Sequence, residues 1–106
     1  MKLEQLVSDV SSALGAANKL LGEHGKTPLS FGNLQTLIIV SNGGDLGMVH
    51  IAKQRGISSA AATGAVDELE KKGLTIRSTN PQDRRNIKVK ITELGTHVIQ
   101  AASAAI

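Results

Sequence analysis

The sequence lacks cysteine altogether and has one aromatic residue, Phe31, among its 106 residues. Without cysteine the chain has no disulfide of its own, no thiolate metal ligand and no thiol-based redox sensor. With a single aromatic ring, the core must consist of Leu, Ile, Val and Ala. Base stacking on aromatic side chains, the usual way to hold single-stranded nucleic acid, is disfavoured for the same reason.

Long apolar runs are also missing. No stretch of about 18 apolar residues occurs, so no membrane span is expected. Lys2 and Glu4 precede an amphipathic stretch rather than a continuous apolar one, so a secretory signal peptide is not expected either. These features favour a cytoplasmic protein.

The length and charge of the chain predict one small domain, residues 1–106, with a local excess of positive charge. The net charge of +3 is modest. Residues 1–56 are nearly neutral, with five basic and four acidic side chains. The segment from Arg77 to Lys90 has five basic residues and one acid, Asp83, and so carries +4. Such a local excess indicates a surface for a polyanion.

Helical periodicity covers most of the chain. Apolar residues at helical spacing predict a first helix from about Leu3 to Leu21. Ser30 is a typical N-cap for a second helix, which would end near residues 42–44. A brief strand at Leu46 and a short third helix closed by Gly56 would follow.

The next segments predict a helix-turn-helix followed by a hairpin. Ser58 is a typical N-cap for a fourth helix that runs to Lys72, and Gly73 stands where a helix end needs positive φ. Residues 80–83, Asn-Pro-Gln-Asp, are typical of a turn. Apolar and basic residues alternate from Ile87 to Ile91, as in a half-buried strand. The predicted fold class is mainly α with a small β-hairpin wing (α+β), a winged helix-turn-helix.

The last predicted helix is capped near Thr92, and Gly95 is interpreted as weakening its start. Together with the first helix it presents an apolar stripe. Residues 1–24 and 93–106 are therefore predicted as dimerisation helices, and residues 46–92 as the DNA-binding core. The alternative is that the two apolar stripes pack within the chain's own core. The predicted interface residues are Leu3, Leu6, Val7, Val10, Leu14, Val98, Ile99, Ala102 and Ile106.

The hairpin and its flanks resemble the MarR family of winged-helix regulators. The family signature is Asp-x-Arg, five residues, then an aliphatic residue and Thr, and here it runs from Asp83 through Arg85 to Ile91-Thr92. The continuation to Gly95 and the upstream segment 66–74 are also similar to the family. The resemblance is good over roughly residues 46–95.

The resemblance implies a homodimer on duplex DNA, with the fourth helix in the major groove and the wing in the minor groove. It assigns the minor-groove role to Arg85 and a positioning role to Asp83. Family members usually run longer, so dimerisation here is expected to depend more on the first helix. The predicted DNA-binding residues are Ser58, Ser59, Ala60, Ala61, Thr63, Gly64, Arg77, Asp83, Arg84, Arg85 and Lys88.

The fourth helix has only short side chains at the positions where a recognition helix contacts bases. Ser59 and Thr63 can hydrogen-bond bases or phosphates, and Ala60 and Ala61 can contact a thymine methyl, but no long polar side chain is present. Modest sequence specificity is therefore expected. Gly64 either permits a close approach or is simply tolerated in the helix.

The function predicted from these features is a sequence-specific, duplex-DNA-binding transcriptional repressor that is dimeric and associated with the nucleoid. A winged-helix protein-interaction module and a non-specific architectural DNA-binding protein are the alternatives. Gln54 and Arg55 are secondary candidates for phosphate contact. An unidentified small-molecule effector is compatible with the family resemblance, although no residue points to one.

Other chemistries have little support. The three histidines, His24, His50 and His97, are far apart in sequence, so no metal site is predicted. No nucleophile elbow, phosphate-binding loop or dinucleotide fingerprint occurs. Neither an enzyme nor a cofactor is expected.

Overall fold

The computed structural model describes residues 2–43 and 46–106, and the side chains of residue 80 and residues 83–86 fall outside that description. Within these residues, five helices surround a small antiparallel sheet. In chain order the elements are α1 (Leu3–Glu23), α2 (Phe31–Gly43), β1 (Leu46–Gly47), α3 (Met48–Arg55), α4 (Ser59–Lys71), β2 (Thr75–Asn80), β3 (Asp83–Ile91) and α5 (Glu93–Ala104). The predicted winged helix-turn-helix is confirmed.

The longest helix, α1, packs along α5. Ala13, Ala17 and Leu21 form its buried stripe and share a core with Val98 and Ala102 of α5. Small residues in this stripe allow the two helix backbones to lie close together. The N-terminal turns of α1 extend beyond this core.

The helix-turn-helix is formed by α3 and α4. Gly56 ends α3 in the left-handed region at φ 71°. The Ser58 hydroxyl caps α4 as predicted, because it accepts a hydrogen bond from the Ala61 N–H at 3.1 Å. Ala62 and Val66 of α4 pack on Ile51 of α3, which fixes the angle between the two helices.

The wing is the hairpin β2–β3, and β3 is the central strand of the sheet order β1-β3-β2. Val89 is fully buried and anchors the hairpin to the core shared by α2, α3 and α4. Residues 81–82 form the turn, and Asn80 pairs with Asp83. The predicted turn is confirmed, and it places residues 84 and 85 directly after the wing tip.

The structure corrects the interpretation that Gly95 only weakens the start of the last helix. Thr92 caps α5 as predicted, since its hydroxyl accepts a hydrogen bond from the Gly95 N–H at 3.1 Å and donates one to the Gly73 carbonyl at 2.6 Å. A Cβ on Gly95 would lie 2.3 Å from the Leu74 carbonyl oxygen. The glycine therefore permits the close docking of α5 on the start of β2 rather than merely weakening the helix.

The predicted interface residues divide into three groups. Val98 and Ala102 are buried by the chain's own α1, so they are core residues and offer no surface to a partner. Leu14 and Ile99 are partly buried against the same core, and Val10 is half-buried. The members that remain exposed are Leu3, Leu6, Val7 and Ile106.

The exposed members continue into an apolar groove between α1, α2 and the end of α5. Phe31 and Ile38 of α2 add exposed apolar surface that the sequence prediction had not included. The groove is lined by Leu6, Asp9, Val10, Ala13, Phe31, Leu34, Ile38 and Ile106.

No helix among residues 2–43 and 46–106 combines the length and apolarity needed to cross a membrane.

Candidate nucleic-acid interface

The first two turns of α4 present a small, uncharged surface to solvent. Ser59, Ala60, Ala61 and Gly64 are exposed, and Thr63 is half-buried. The Thr63 hydroxyl donates to the Ser59 carbonyl at 2.9 Å, so its oxygen keeps free acceptor capacity. This face has shape and hydrogen-bonding groups but no charge.

Gly64 has open space around it. A Cβ at this position would meet no atom within 4 Å outside its own helix turn. Packing within the chain therefore does not require glycine here. Gly64 has two interpretations from sequence, close approach by an external partner and simple tolerance in the helix, and both stay predictions.

The second half of α4 is acidic and engages the wing. Arg77 of β2 forms ion pairs with Asp67 and with Glu70, whose Oε2 lies 3.0 Å from the Arg77 Nε. The Arg77 Nε nevertheless lacks a hydrogen-bond partner of suitable alignment, so we regard the Glu70 contact as an ion pair only. These pairs hold β2 against α4. The role of Arg77 in DNA binding stays a prediction.

Arg55 lies in a different place from the one predicted. Its Nη1 donates to the Thr36 hydroxyl at 3.1 Å, and a Cβ on Gly32 would lie 2.8 Å from its Nη2. The side chain thus packs on the start of α2 and is not directed to solvent as a phosphate contact. Gln54, the neighbouring candidate, is exposed.

The wing supplies the charged part of the interface. The side chains of Asp83, Arg84 and Arg85 lie outside the described residues, whereas the backbone places all three in the first residues of β3. Lys88 follows on the same strand and is half-buried. The assignments of these four residues remain predictions.

The histidines do not converge. The His24 Nδ1 lies 3.0 Å from the Leu20 carbonyl, a contact within one helix end. Across the described part of the chain, no group of three or more His, Asp or Glu side chains is placed to hold a metal ion.

Comparison with known families identifies this arrangement. The sequence model described as "MarR family" matches residues 29–87, which is more than half of the chain and includes the helix-turn-helix and the start of β3. The chain belongs to the MarR family. The resemblance inferred from the wing signature is thereby confirmed.

Relatives and solved structures agree with this membership. An uncharacterized HTH-type transcriptional regulator, YfiV of Bacillus subtilis (strain 168), is 37% identical over 68 residues, which are 64% of this chain and 42% of that protein. RV1404 from Mycobacterium tuberculosis has the same fold, with a TM-score of 0.79, 21% identity, and coverage of 97% of this chain and 67% of that one. The chain spans about half the length of the curated relatives that it matches.

A third comparison is with a mutant of MarR from E. coli, solved in complex with operator DNA. Its TM-score is 0.67 at 23% identity, with 97% of this chain and 72% of that chain covered. At this identity the likeness establishes the fold.

Sequence reasoning missed two features of the site. The inward turn of Arg55 depends on Gly32 and Thr36, which are about 20 positions away, and no local pattern indicates it. The second feature is a cleft between α3 and β3 lined by His50, Lys53 and Lys88. The spacing of His50 and Lys53 by three positions could have indicated a shared helix face, but the register that brings Lys88 to it could not be read from sequence.

Proposed function

We propose that the chain is a duplex-DNA-binding transcriptional regulator whose α4 enters the major groove and whose wing reaches the adjacent minor groove. Membership of the MarR family supports this proposal, as does the fold shared with the E. coli protein solved on operator DNA. In helix-turn-helix proteins the second helix of the pair reads base edges, and α4 is that helix here.

The observation that carries the proposal is the free surface at the start of α4. The inward face of this helix is fixed by Ala62, Val66 and Leu69, all fully buried, so the helix is held rigidly on the core. Over its first two turns, the outward face has no long side chain that would prevent close approach to a groove. A rigid helix with a slim exposed face fits the major groove, which admits an α-helix.

The wing complements this helix through charge. A narrow minor groove concentrates negative potential, and an arginine side chain exploits that potential. Arg85 matches the family position for this contact. Arg84 is proposed to lie near phosphate, and Asp83 to help position the tip.

The sharpest test of the wing is Arg85→Ala. We expect duplex affinity to fall at least tenfold, while the circular dichroism spectrum and the oligomeric state stay unchanged. Lys19→Ala is the matched control, because it also removes one positive charge, from the exposed side of α1. Equal affinities of the two variants would refute the minor-groove assignment.

We further propose that the regulator acts as a homodimer and represses by occupying an operator that polymerase needs, on the nucleoid in the cytoplasm. The exposed apolar residues at the start of α1 and in the adjoining groove support a self-association surface. A dimer on DNA would contact two half-sites about one helical turn apart.

Selection from a random-sequence duplex pool at two salt concentrations tests the whole proposal. Recovery of an inverted repeat would support a sequence-specific dimer. Salt-sensitive retention without an enriched sequence would favour an architectural role, which the uncharged face of α4 makes a specific second candidate. No retention at either salt concentration would refute DNA binding and favour a protein-interaction module.

A further inference from the structure

A cleft of about 320 Å³ separates the first turns of α3 from the base of the wing. Its apolar floor is formed by Met48, Val49 and Ile87. Its rim carries His50 and Lys53 from α3 and Lys88 from β3. The cleft thus combines an apolar surface with two ammonium groups and one imidazole, contributed by two different elements.

Lys88 is directed across the sheet toward α3. It pairs with Gly47 in the register of β1 with β3, and its Nζ lies 4.0 Å from where a Cβ on Gly47 would stand. Gly47 is also the N-cap of α3. The half-buried Lys88 side chain therefore covers β1 and brings its charge to the helix that carries Lys53.

These cations are not neutralised by the described part of the chain. All the ion pairs in that part of the chain use acidic residues of α4. Glu68 pairs with Lys71 and Lys72, and Asp67 and Glu70 pair with Arg77. Lys53 and Lys88 take part in none of them. No described acidic side chain lines the cleft.

We propose that this cleft binds a backbone phosphate of duplex DNA, with Lys53 and Lys88 as its charged ligands and His50 as a hydrogen-bond donor. This inference rests on the proposed function and adds a phosphate site that the DNA-binding surface inferred from the sequence did not contain. His50 and Lys53 were absent from that surface, where Lys88 was predicted only as a DNA-binding residue of the wing.

The position of the cleft supports a backbone phosphate. In a helix-turn-helix the first helix, here α3, crosses the DNA backbone while the second enters the major groove. The wing would occupy the minor groove, and one sugar-phosphate strand must run between the two grooves. The cleft joins α3 to the base of the wing, so a phosphate bound there would belong to the strand that passes from α3 to the wing.

The chemistry of the floor favours a phosphodiester over a free inorganic anion. The two lysines attract an anion of either kind, whereas Met48, Val49 and Ile87 offer nothing to a small hydrated ion. The carbon-rich face of a deoxyribose would contact such a floor. Val49 is 61% exposed in the free chain, and burying it against sugar would remove that apolar surface from water.

The test is the salt dependence of binding to a duplex of random sequence, measured by fluorescence anisotropy between about 0.05 and 0.3 M salt. Each phosphate contact contributes about 0.9 to the slope of log K against log salt. We expect Lys53→Gln and Lys88→Gln each to lower that slope by roughly half of this amount and to weaken binding about twofold at physiological salt. The double variant should lose about 0.9 of slope, because the two lysines bind the same phosphate, and its binding should weaken about fivefold at physiological salt.

Three controls separate charge loss from other effects. Lys19→Gln removes the same charge from α1 and should leave the slope unchanged. Lys53→Arg keeps the charge and should retain the slope. Because a phosphate contact carries no sequence information, sequences selected by Lys53→Gln should match those selected by the unmodified chain.

The outcomes distinguish this proposal from the one on which it rests. If the unmodified chain shows no salt-dependent duplex binding, the proposed function fails and the phosphate site fails with it. If the unmodified chain binds but Lys53→Gln and Lys88→Gln keep the slope of Lys19→Gln, the cleft assignment alone is overturned. A changed sequence preference in Lys53→Gln would also overturn it, because it would indicate base contact.

Discussion

Gly64 shows how one residue can separate two interpretations of a helix. A helix-interior glycine costs about 1 kcal/mol relative to alanine, and nothing in the chain occupies the space beside it. A stability cost without an internal benefit suggests that the benefit lies in a complex. In the proposed complex, Gly64 would let the α4 backbone approach the DNA.

We therefore expect Gly64→Ala to raise the free energy of unfolding by about 0.5–1 kcal/mol while weakening duplex binding. Denaturant unfolding and anisotropy titration measure the two effects. Gly15→Ala is the matched control, since Gly15 is also helical, exposed and surrounded by open space. That control should gain similar stability at unchanged affinity, and undiminished DNA binding in Gly64→Ala would show that the glycine is merely tolerated.

Individual residues also show which features local sequence rules can predict and which need the fold. The caps at Ser58 and Thr92 and the positive φ of Gly73 follow from local rules, and all three are confirmed. Arg55 and Arg77 look like free cations in the sequence. Their actual partners come from other elements, so only the fold could show that one packs on α2 and the other is ion-paired to α4.

At the scale of elements, the docking of α5 on the start of β2 joins the wing to the long helices. The Thr92 N–H donates to the Leu74 carbonyl at 3.0 Å, and the Thr92 hydroxyl binds the Gly73 carbonyl. Gly95 follows one turn later against the same carbonyl of Leu74. The end of α4, the residues just before the wing and the first turn of α5 therefore form one junction.

Gly95→Ala should disrupt this junction. Its new Cβ would stand 2.3 Å from a backbone oxygen, which cannot rotate away as the end of a side chain could. We expect the free energy of unfolding to fall by about 1–3 kcal/mol or more, the usual cost of overpacking. Chemical denaturation is the measurement, with Gly15→Ala as the control expected to gain stability. An unchanged or raised unfolding free energy in Gly95→Ala would contradict the close docking.

The elements themselves were largely predictable, because strong caps and clear periodicities define them. The wing turn and the N-cap of α4 agree with the sequence prediction. The division of the α1 and α5 stripes between core and surface could not be predicted. Periodicity shows that a face is apolar, but only tertiary packing decides that Val98 is buried inside the chain while Leu6 is 47% exposed.

For the whole molecule, the distribution of charge and apolar surface assigns two roles to two regions. The lysines of the cleft, which pair with no described acidic side chain, lie on α3 and the wing. The exposed apolar residues lie on α1, α2 and the chain's last residue, Ile106. This separation would let self-association and DNA binding use different surfaces, so that a change in one need not damage the other.

The final prediction concerns self-association through the apolar region. We expect light scattering to give a dimer mass at micromolar protein and Leu6→Glu to give a monomer, because the change puts a charge into the exposed apolar face at little cost to the chain's own core. Ser12→Glu adds the same charge on the opposite side of α1 and should remain dimeric. A monomeric unmodified chain, or a Leu6→Glu variant that still dimerises, would show that this face is not the interface. If dimerisation creates the high affinity for paired half-sites, Leu6→Glu should also lose that affinity while keeping the salt-dependent binding of a single half-site.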